Sequence, residues 1–456
     1  MRGGNRSRDP CTLRSTSSHH QHGSKARKYL LHFTPSDSAN PMTAASVTAT
    51  PASPPPAKRH PLAGSHFRNV WIGATISLLG DQFYLVALPW LVLQLTGSSL
   101  VLGTILMVAA IPRAALMLVG GAVTDRLSAR YVLICTATAR TFLVGAVTAL
   151  VWLHVIKLWH LYLLTFAFGI ADAFTLPAGP ALVPTLVDAT QLQPANALMQ
   201  GSAVMTQMVG PAPAGILIKF WGIASALFFD TLSFLAVIVA LIKVPEPPKI
   251  AHASGTRPSM LHSIAEGLRA VRNDSALLFF MVIFATLNFC IAGPVAIGLA
   301  ALAKFRFGSA AAFGTFLSCF SGGMLAGMAL GGTVKKPRKR GIQFITAGAL
   351  CGLELIGIGL FPKFIVIASL LALMGLGFGF VNVQFSTWIQ LRVERAMLGR
   401  VMSVLMFSAL GLIPVSYAIA GVAAQRSLEA LFAVAGAILV VTCASAIGAR
   451  AARELD

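Results

Sequence analysis

The stretch Gly120-Gly121-Ala122-Val123-Thr124-Asp125-Arg126-Leu127-Ser128-Ala129-Arg130 decides how this chain is read. It is a short charged segment wedged between two apolar runs, 100–123, broken only by Arg113, and 131–153, broken only by Arg140. About 20 apolar residues at about 1.5 Å rise per residue match a hydrocarbon core about 30 Å thick, so both runs read as membrane helices. The charged segment is then the loop between them. Gly120 and Gly121 lack a Cβ, which lets a helix end approach a neighbour closely and the chain turn sharply. Asp125 suits the positive N-terminal end of another helix, while Arg126 and Arg130 suit acidic groups or lipid phosphates.

Composition extends this reading to the whole chain. Of 456 residues, 56% are hydrophobic and 11% charged. Soluble domains carry about 25% charged residues, so the balance is that of a polytopic membrane protein. The formal charge of +20 comes from 35 Lys and Arg against 15 Asp and Glu. Because the excess sits mostly in the N-terminal tail and alternate loops, it marks orientation in the bilayer, not nucleic-acid binding. Cys11, Cys135, Cys290, Cys319, Cys351 and Cys443 form no CxxC pair, so no zinc site or disulfide framework is supported.

Outward from the hairpin, the chain divides into five segments. Residues 1–69 are a basic, Pro- and Ser-rich tail expected to be disordered, with ten Lys and Arg against Asp9 and Asp37. Its composition superficially suits a transit peptide, and His19, His20 and His22 a metal site, but neither signal is specific. Translation from Met42 is another reading of this tail. Residues 70–243 hold six spans, near 70–95, 100–123, 131–153, 158–185, 195–218 and 222–243. A linker, 244–274, opens on Pro245-Glu246-Pro247-Pro248 and carries an amphipathic surface helix over 260–272. Six more spans fill 275–448, near 275–300, 308–332, 342–362, 364–389, 401–424 and 428–448, and 449–456 is a short tail. The expected architecture is an all-α membrane protein of 12 transmembrane helices in two six-helix halves.

Orientation follows from charge. Loops on the hairpin's side, without the tail, carry seventeen Lys and Arg, against six on the other side: Lys157, Lys219, Lys304, Arg306, Lys363 and Arg426. The positive-inside bias places the hairpin, the linker and both termini in the cytoplasm. A repeat agrees with two halves: Gly331-Gly332-Thr333-Val334-Lys335-Lys336 closes span 8 as Gly120-Gly121 closes span 2. Lys336 stands where Asp125 would, so the second copy lacks the acidic element and its basic cluster suits lipid head groups.

Paired Gly, then Asp-Arg, three residues and Arg resembles the signature loop between helices 2 and 3 of the major facilitator superfamily. The resemblance implies that Gly121, Asp125, Arg126 and Arg130 form a conformational latch, Asp125 meeting the start of helix 11 near Gly399, Arg400 and Val401. Gly210-Pro211-Ala212-Pro213-Ala214-Gly215 in span 5 resembles the superfamily's antiporter motif, with Gly210, Pro211, Pro213 and Gly215 giving a bendable, tightly packed segment. Span 4 lacks the arginine common in that branch. The Leu88-Pro89-Trp90, Pro177-Ala178-Gly179-Pro180, Pro194-Ala195-Asn196 and Leu398-Gly399-Arg400 segments look like those of bacterial exporters that include the enterobactin and macrolide efflux proteins.

Charges inside spans cost roughly 2.5–3.5 kcal/mol each even on lenient insertion scales, so they should face a cavity or a partner. Asp81, Arg113, Arg140 and Asp172 are the proton or substrate candidates. Asp81, near the middle of span 1, either exchanges a proton, meets a cationic substrate or forms a fixed pair with Arg113 or Arg140. Asp172 is a second cavity acid or a partner of Arg126 or Arg130. Asp230 and Glu354 are expected to pair between helices. Gln82, Tyr84, Asn288, Asn382, Gln384 and Trp388 are candidate cavity residues for an amphipathic solute.

No HExxH, GxSxG or P-loop sequence is present, so neither an enzyme nor an ATP motor is indicated. The expectation is a secondary transporter, exporting a small amphipathic solute by proton-coupled alternating access in the cell inner membrane. Its partners are membrane lipids, protons and the solute, without metal, cofactor or nucleic acid, and it works as a monomer. A non-transporting receptor on the same fold, or an importer, is the alternative.

Overall fold

The computed structural model describes residues 60–245, 260–334 and 340–447. Met1, Met42, the histidines of the tail, the middle of the linker, Lys336 and the last residues lie outside them, as does the side chain of Asp125. Sixteen α-helices run through the described residues. The first seven are α1 (Ser65–Thr96), α2 (Ser99–Arg126), α3 (Ala129–Trp152), α4 (Leu158–Leu182), α5 (Leu192–Val209), α6 (Pro211–Trp221) and α7 (Ile223–Ile242). The linker helix is α8 (Met260–Asn273). Then follow α9 (Ser275–Gly293), α10 (Leu299–Phe307), α11 (Ala310–Thr333), α12 (Arg340–Leu360), α13 (Phe364–Arg392), α14 (Arg395–Leu410), α15 (Ile413–Arg426) and α16 (Leu428–Ala446).

Eleven helical segments among the described residues are long and apolar enough to cross a membrane. The stretch expected as a single span over 195–218 is divided at Gly210-Pro211 into α5 and α6, because Pro211 cannot donate the amide that would continue the helix. Pro294 has a related effect: α9 passes through a π-helical segment, Pro294–Gly298, before α10. The first helix begins at Ser65, inside the segment expected to be disordered. The hairpin is also tighter than its sequence suggests. α2 continues to Arg126, and only Leu127 and Ser128 separate it from α3, whose Tyr131 N–H is capped by Ser128 Oγ at 3.2 Å. The turn is made without the glycines. Gly120 instead serves packing, since a Cβ there would lie 2.4 Å from the Ala173 carbonyl oxygen of α4, whereas Gly121 faces open space.

Packing repeats along the chain. α2 lies along α4 and α11 along α13, through backbone contacts at Gly120 and Gly169 in one pair and Gly323 and Gly375 in the other. α7 packs on α1 and α3, and α16 packs on α12 and α9. Helices before and after the linker meet mainly away from the hairpin. α2 crosses α15 where Gly103 meets Gly421, and Gln425 Oε1 accepts from Ser98 Oγ at 3.0 Å and from Leu100 N at 3.3 Å. α6 crosses α11, with Ala212 N donating to Ser318 Oγ at 3.1 Å. Among the described residues α2–α5 make no substantial packing with α13 or α14. Trp152, Trp159 and Trp221, all more than half exposed, stand at helix ends on the face opposite the hairpin, the place of an interfacial aromatic belt.

The linker helix is held by charge. Glu266 of α8 pairs with Arg400 of α14, and Arg392 grips Asp274 through two hydrogen bonds of 2.8 and 3.2 Å. Asp274 also caps α9, accepting from Ala276 N at 2.9 Å and Leu277 N at 3.2 Å.

Candidate transport site

Four helices bring Asp81, Arg113, Arg140 and Asp172 together. Arg140 of α3 is the hub, nine-tenths buried. Its guanidinium pairs with Asp172 of α4 and lies 3.7 Å from Asp81 Oδ1 of α1. Arg113 of α2 reaches the other side of Asp172, Nη1 to Oδ2, at 3.4 Å. Aromatic faces complete the seat: Arg140 Cζ stands 4.9 Å from the Phe168 ring centroid and 5.4 Å from that of Phe234, and Tyr84 stacks on Phe168 at 4.7 Å. Cations over aromatic faces gain from the ring quadrupole, most where water is excluded. Asp172 therefore partners Arg113 and Arg140, not Arg126 or Arg130. Arg130 instead donates to the Leu241 and Ile242 carbonyl oxygens at 2.9 and 3.2 Å, closing the C-terminal end of α7.

These charges line a cavity of about 520 Å³. Asp81, Gln82, Tyr84, Arg113, Arg140, Phe168 and Asp172 form one wall. Ile291, Val295, Phe313, Leu317 and Tyr417, from α9, the π segment, α11 and α15, form the other. An apolar, aromatic chamber with one charged wall suits an amphipathic solute. A second cavity, of about 190 Å³, lies among α1, α3, α4 and α7 toward the hairpin end, lined by Ser77, Thr136, Phe234 and Leu241. Asp81 and Arg140 line both cavities.

The antiporter-like segment touches the wall directly. A Cβ on Gly210 would stand 2.6 Å from Gln82 Cβ, so its absence seats α1 against the α5–α6 break. Gly215 packs α6 on Ala310 of α11, and Pro211 and Pro213 open the α6 helix. Four other candidates lie elsewhere. Gln384 is buried and donates to the Gly331 carbonyl at 3.2 Å, tying α13 to α11. Trp388 packs with Phe280 under Arg392, Asn382 lines a small apolar cavity beside Phe280 and Phe385, and Asn288 donates to the Phe284 carbonyl one turn back.

Asp230 departs from the expected pairing. It is fully buried on α7, no cation lies within 4.0 Å among the described residues, and its Oδ2 has no hydrogen-bond partner. Glu354 Oε2 is likewise buried without one. Phe168, Phe234 and Tyr417 are site residues the sequence did not single out, because nothing separates a phenylalanine over a guanidinium from one facing lipid until the helices are placed.

A bundle of apolar helices around a chamber with a charged wall is the architecture of a membrane transporter. The sequence profile described as Major Facilitator Superfamily matches residues 70–415, and the chain belongs to that superfamily of multi-pass membrane transporters, which are not enzymes. Its relatives include macrolide efflux protein A of Streptococcus pyogenes, 24% identical over 343 residues, 74% of this chain and 84% of that one. They also include the multidrug efflux pump Tap of Mycobacterium tuberculosis (strain ATCC 25618 / H37Rv), 29% identical over 390 residues, 83% of this chain and 91% of that one. In fold it is similar to the nucleoside transporter NupG, with TM-score 0.67 at 13% identity over 84% of this chain and 99% of that one. A bacterial homologue of the iron transporter ferroportin in an inward-facing state superposes with TM-score 0.65 at 16% identity, covering 84% of this chain and 98% of that chain.

Proposed function

We propose that this transporter exports a small amphipathic solute from the cell, driven by the proton gradient, with the two sets of helices rocking about the 520 Å³ cavity. The observation that carries the reading is the Arg140 cluster, a set of buried charges on the wall of a chamber that helices from before and after the linker build together. Buried charges at such a place are costly and mark ion or substrate pathways. Relatives named for macrolide and multidrug efflux support export and solutes of that size. The two six-helix halves, 70–243 and 275–448, are the moving bodies, supported by the repeated packing of α2 on α4 and α11 on α13.

In this reading the hairpin, linker and both termini face the cytoplasm of a bacterial inner membrane, as the loop charges favour. The contacts between halves on the far side, and their sparseness toward the hairpin, fit a conformation open to the cytoplasm. Gly121, Asp125, Arg126 and Arg130 then latch the hairpin side shut against α14 in the opposite state. The protein acts as a monomer in lipid and needs no metal, cofactor or nucleic acid. The test is a panel of antibiotics and dyes in an efflux-deficient host. Lower intracellular accumulation of at least one compound, abolished by collapsing the proton gradient, is expected; equal accumulation of every compound with and without the protein overturns the reading.

A further inference from the structure

We propose that Asp230 is the group on which this transporter holds its proton, and that Arg140 is shared between Asp230 and the cavity acid Asp81, so that the cluster accepts either one proton or one positive charge of a cationic substrate. The proposal rests on the proton-coupled reading above and adds to it the proton's place and the substrate's charge.

The first observation is a charge imbalance. Asp81, Asp172 and Asp230 stand against Arg113 and Arg140. Three acids with two bases leave one negative charge over, in a region where an unpaired charge is expensive. Asp172 has both arginines and Asp81 has Arg140, whereas Asp230 has neither within 4.0 Å. Among the described residues its one side-chain hydrogen bond is from the Ser233 hydroxyl, 3.4 Å from Oδ1 and mainly committed to the Asp230 backbone carbonyl at 2.7 Å. The odd carboxyl is therefore the neutral one.

Its neighbours support exchange. From α1 it is faced by Asp81 and Tyr84, and from α3 by Arg140; on α6 the only charged side chain, Lys219, is exposed at the far end. The Asp230 carboxyl sits on Gly80, where a Cβ would lie 2.7 Å from Oδ1, so it rests against the residue preceding Asp81. The Arg140 guanidinium leans over Phe234, one turn along α7 from Asp230. Among the described residues its Nε is a buried donor without an acceptor, and Asp230 Oδ2 is a buried acceptor without a donor. Two unmet and complementary groups lie on adjoining helices.

The cycle balances. The O–H bond of Asp230 breaks and its proton passes by way of Asp81 to the 190 Å³ cavity, which Asp81 lines and which runs along α7 toward the hairpin end. Arg140 turns to the new carboxylate and leaves Asp81 as the unpaired negative charge facing the 520 Å³ cavity. A cationic group of the solute docks there. Reprotonation of Asp230 returns Arg140 to Asp81 and expels the cation, with no oxidant or other reactant needed.

The test is infrared spectroscopy of the purified protein in lipid, reading the C=O stretch of protonated carboxyls. Asp230→Asn is isosteric with the neutral acid and should lose one carboxyl band, Asp230→Glu should keep it at a shifted position, and Asp81→Asn, which frees Arg140 for Asp230, should weaken it. With tetraphenylphosphonium as the cationic probe, the wild type should release about one proton per cation bound and bind about tenfold more tightly per pH unit gained below the transition. Asp230→Asn should release none. An unchanged band or wild-type proton release in Asp230→Asn overturns the proposal. Proton-driven export that survives in Asp230→Asn overturns this assignment alone; export by the wild type that ignores the proton gradient overturns the proton-coupled reading beneath it.

Discussion

Arg140 and Asp172 form an ion pair between α3 and α4 with only 11% and 12% of their side chains exposed. Removing one partner of a buried pair strands the other charge and costs about 3–5 kcal/mol. Arg140→Gln and Asp172→Asn should each lower membrane abundance and abolish export. The double variant should regain abundance, measured by size-exclusion of the detergent-solubilised protein, yet remain inactive because no arginine then reaches Asp81. Arg140→Lys keeps the charge but loses the fork that reaches two acids, so it should fold and transport poorly.

Asp125→Asn should impair export with near-normal abundance. The hairpin belongs to a turn in which Ser128 already caps α3, so folding does not need the acid. Full export by this variant would remove the latch from the account. Arg400, at the start of α14 where the latch is expected to meet it, is held here by Glu266 of the linker helix.

Gly103→Val should hinder closure of the far face. A Cβ at Gly103 would stand 2.7 Å from the Tyr417 carbonyl oxygen, and overpacking of this kind costs about 1–3 kcal/mol. The conformation in which α2 and α15 meet is then disfavoured. Labelling of a Gln425→Cys probe from the far face should rise, and export should fall; unchanged labelling would place the closure elsewhere.

The pH dependence of the α9 start has a definite sign. Burial pushes the Asp274 carboxyl up, but Arg392 and the amides of Leu277 and Ala276 outweigh it and hold it below the usual carboxylate value. A depressed folded value means that the contribution is present above the ordinary Asp value of about 3.9 and lost as pH falls through the folded value. Asp274→Ala should therefore cost about 0.5–2 kcal/mol near neutrality, as an N-cap does, and the gap from wild type should narrow only under strong acid. Thermal unfolding at several pH values reads it; a gap that closes between pH of about 5 and 8 would contradict it.

Much of the fold was legible because hydrophobic length alone forces spanning helices, and the candidate acids and arginines stood out as charges in lipid. Asp81, Arg113, Arg140 and Asp172 do meet, which needed no knowledge of packing beyond the cost of leaving them apart. What sequence could not supply was which helix faces oppose each other. Gln384 and Trp388 read like cavity residues but point into the α11–α13 contact and an aromatic cluster. Asp230 read as a peripheral paired acid, and only the placement of α7 against Gly80 exposes its isolation. The split at Gly210-Pro211 was visible as residues but not as a break, since prolines inside α1, α2 and α4 interrupt no helix.

The most direct measurement is uphill movement of a panel compound by the purified protein in liposomes, with and without an imposed pH gradient. Accumulation against the compound's gradient is expected only when protons can flow the other way, and none for Arg140→Gln. Equal accumulation without the pH gradient, or retained by Arg140→Gln, would contradict it.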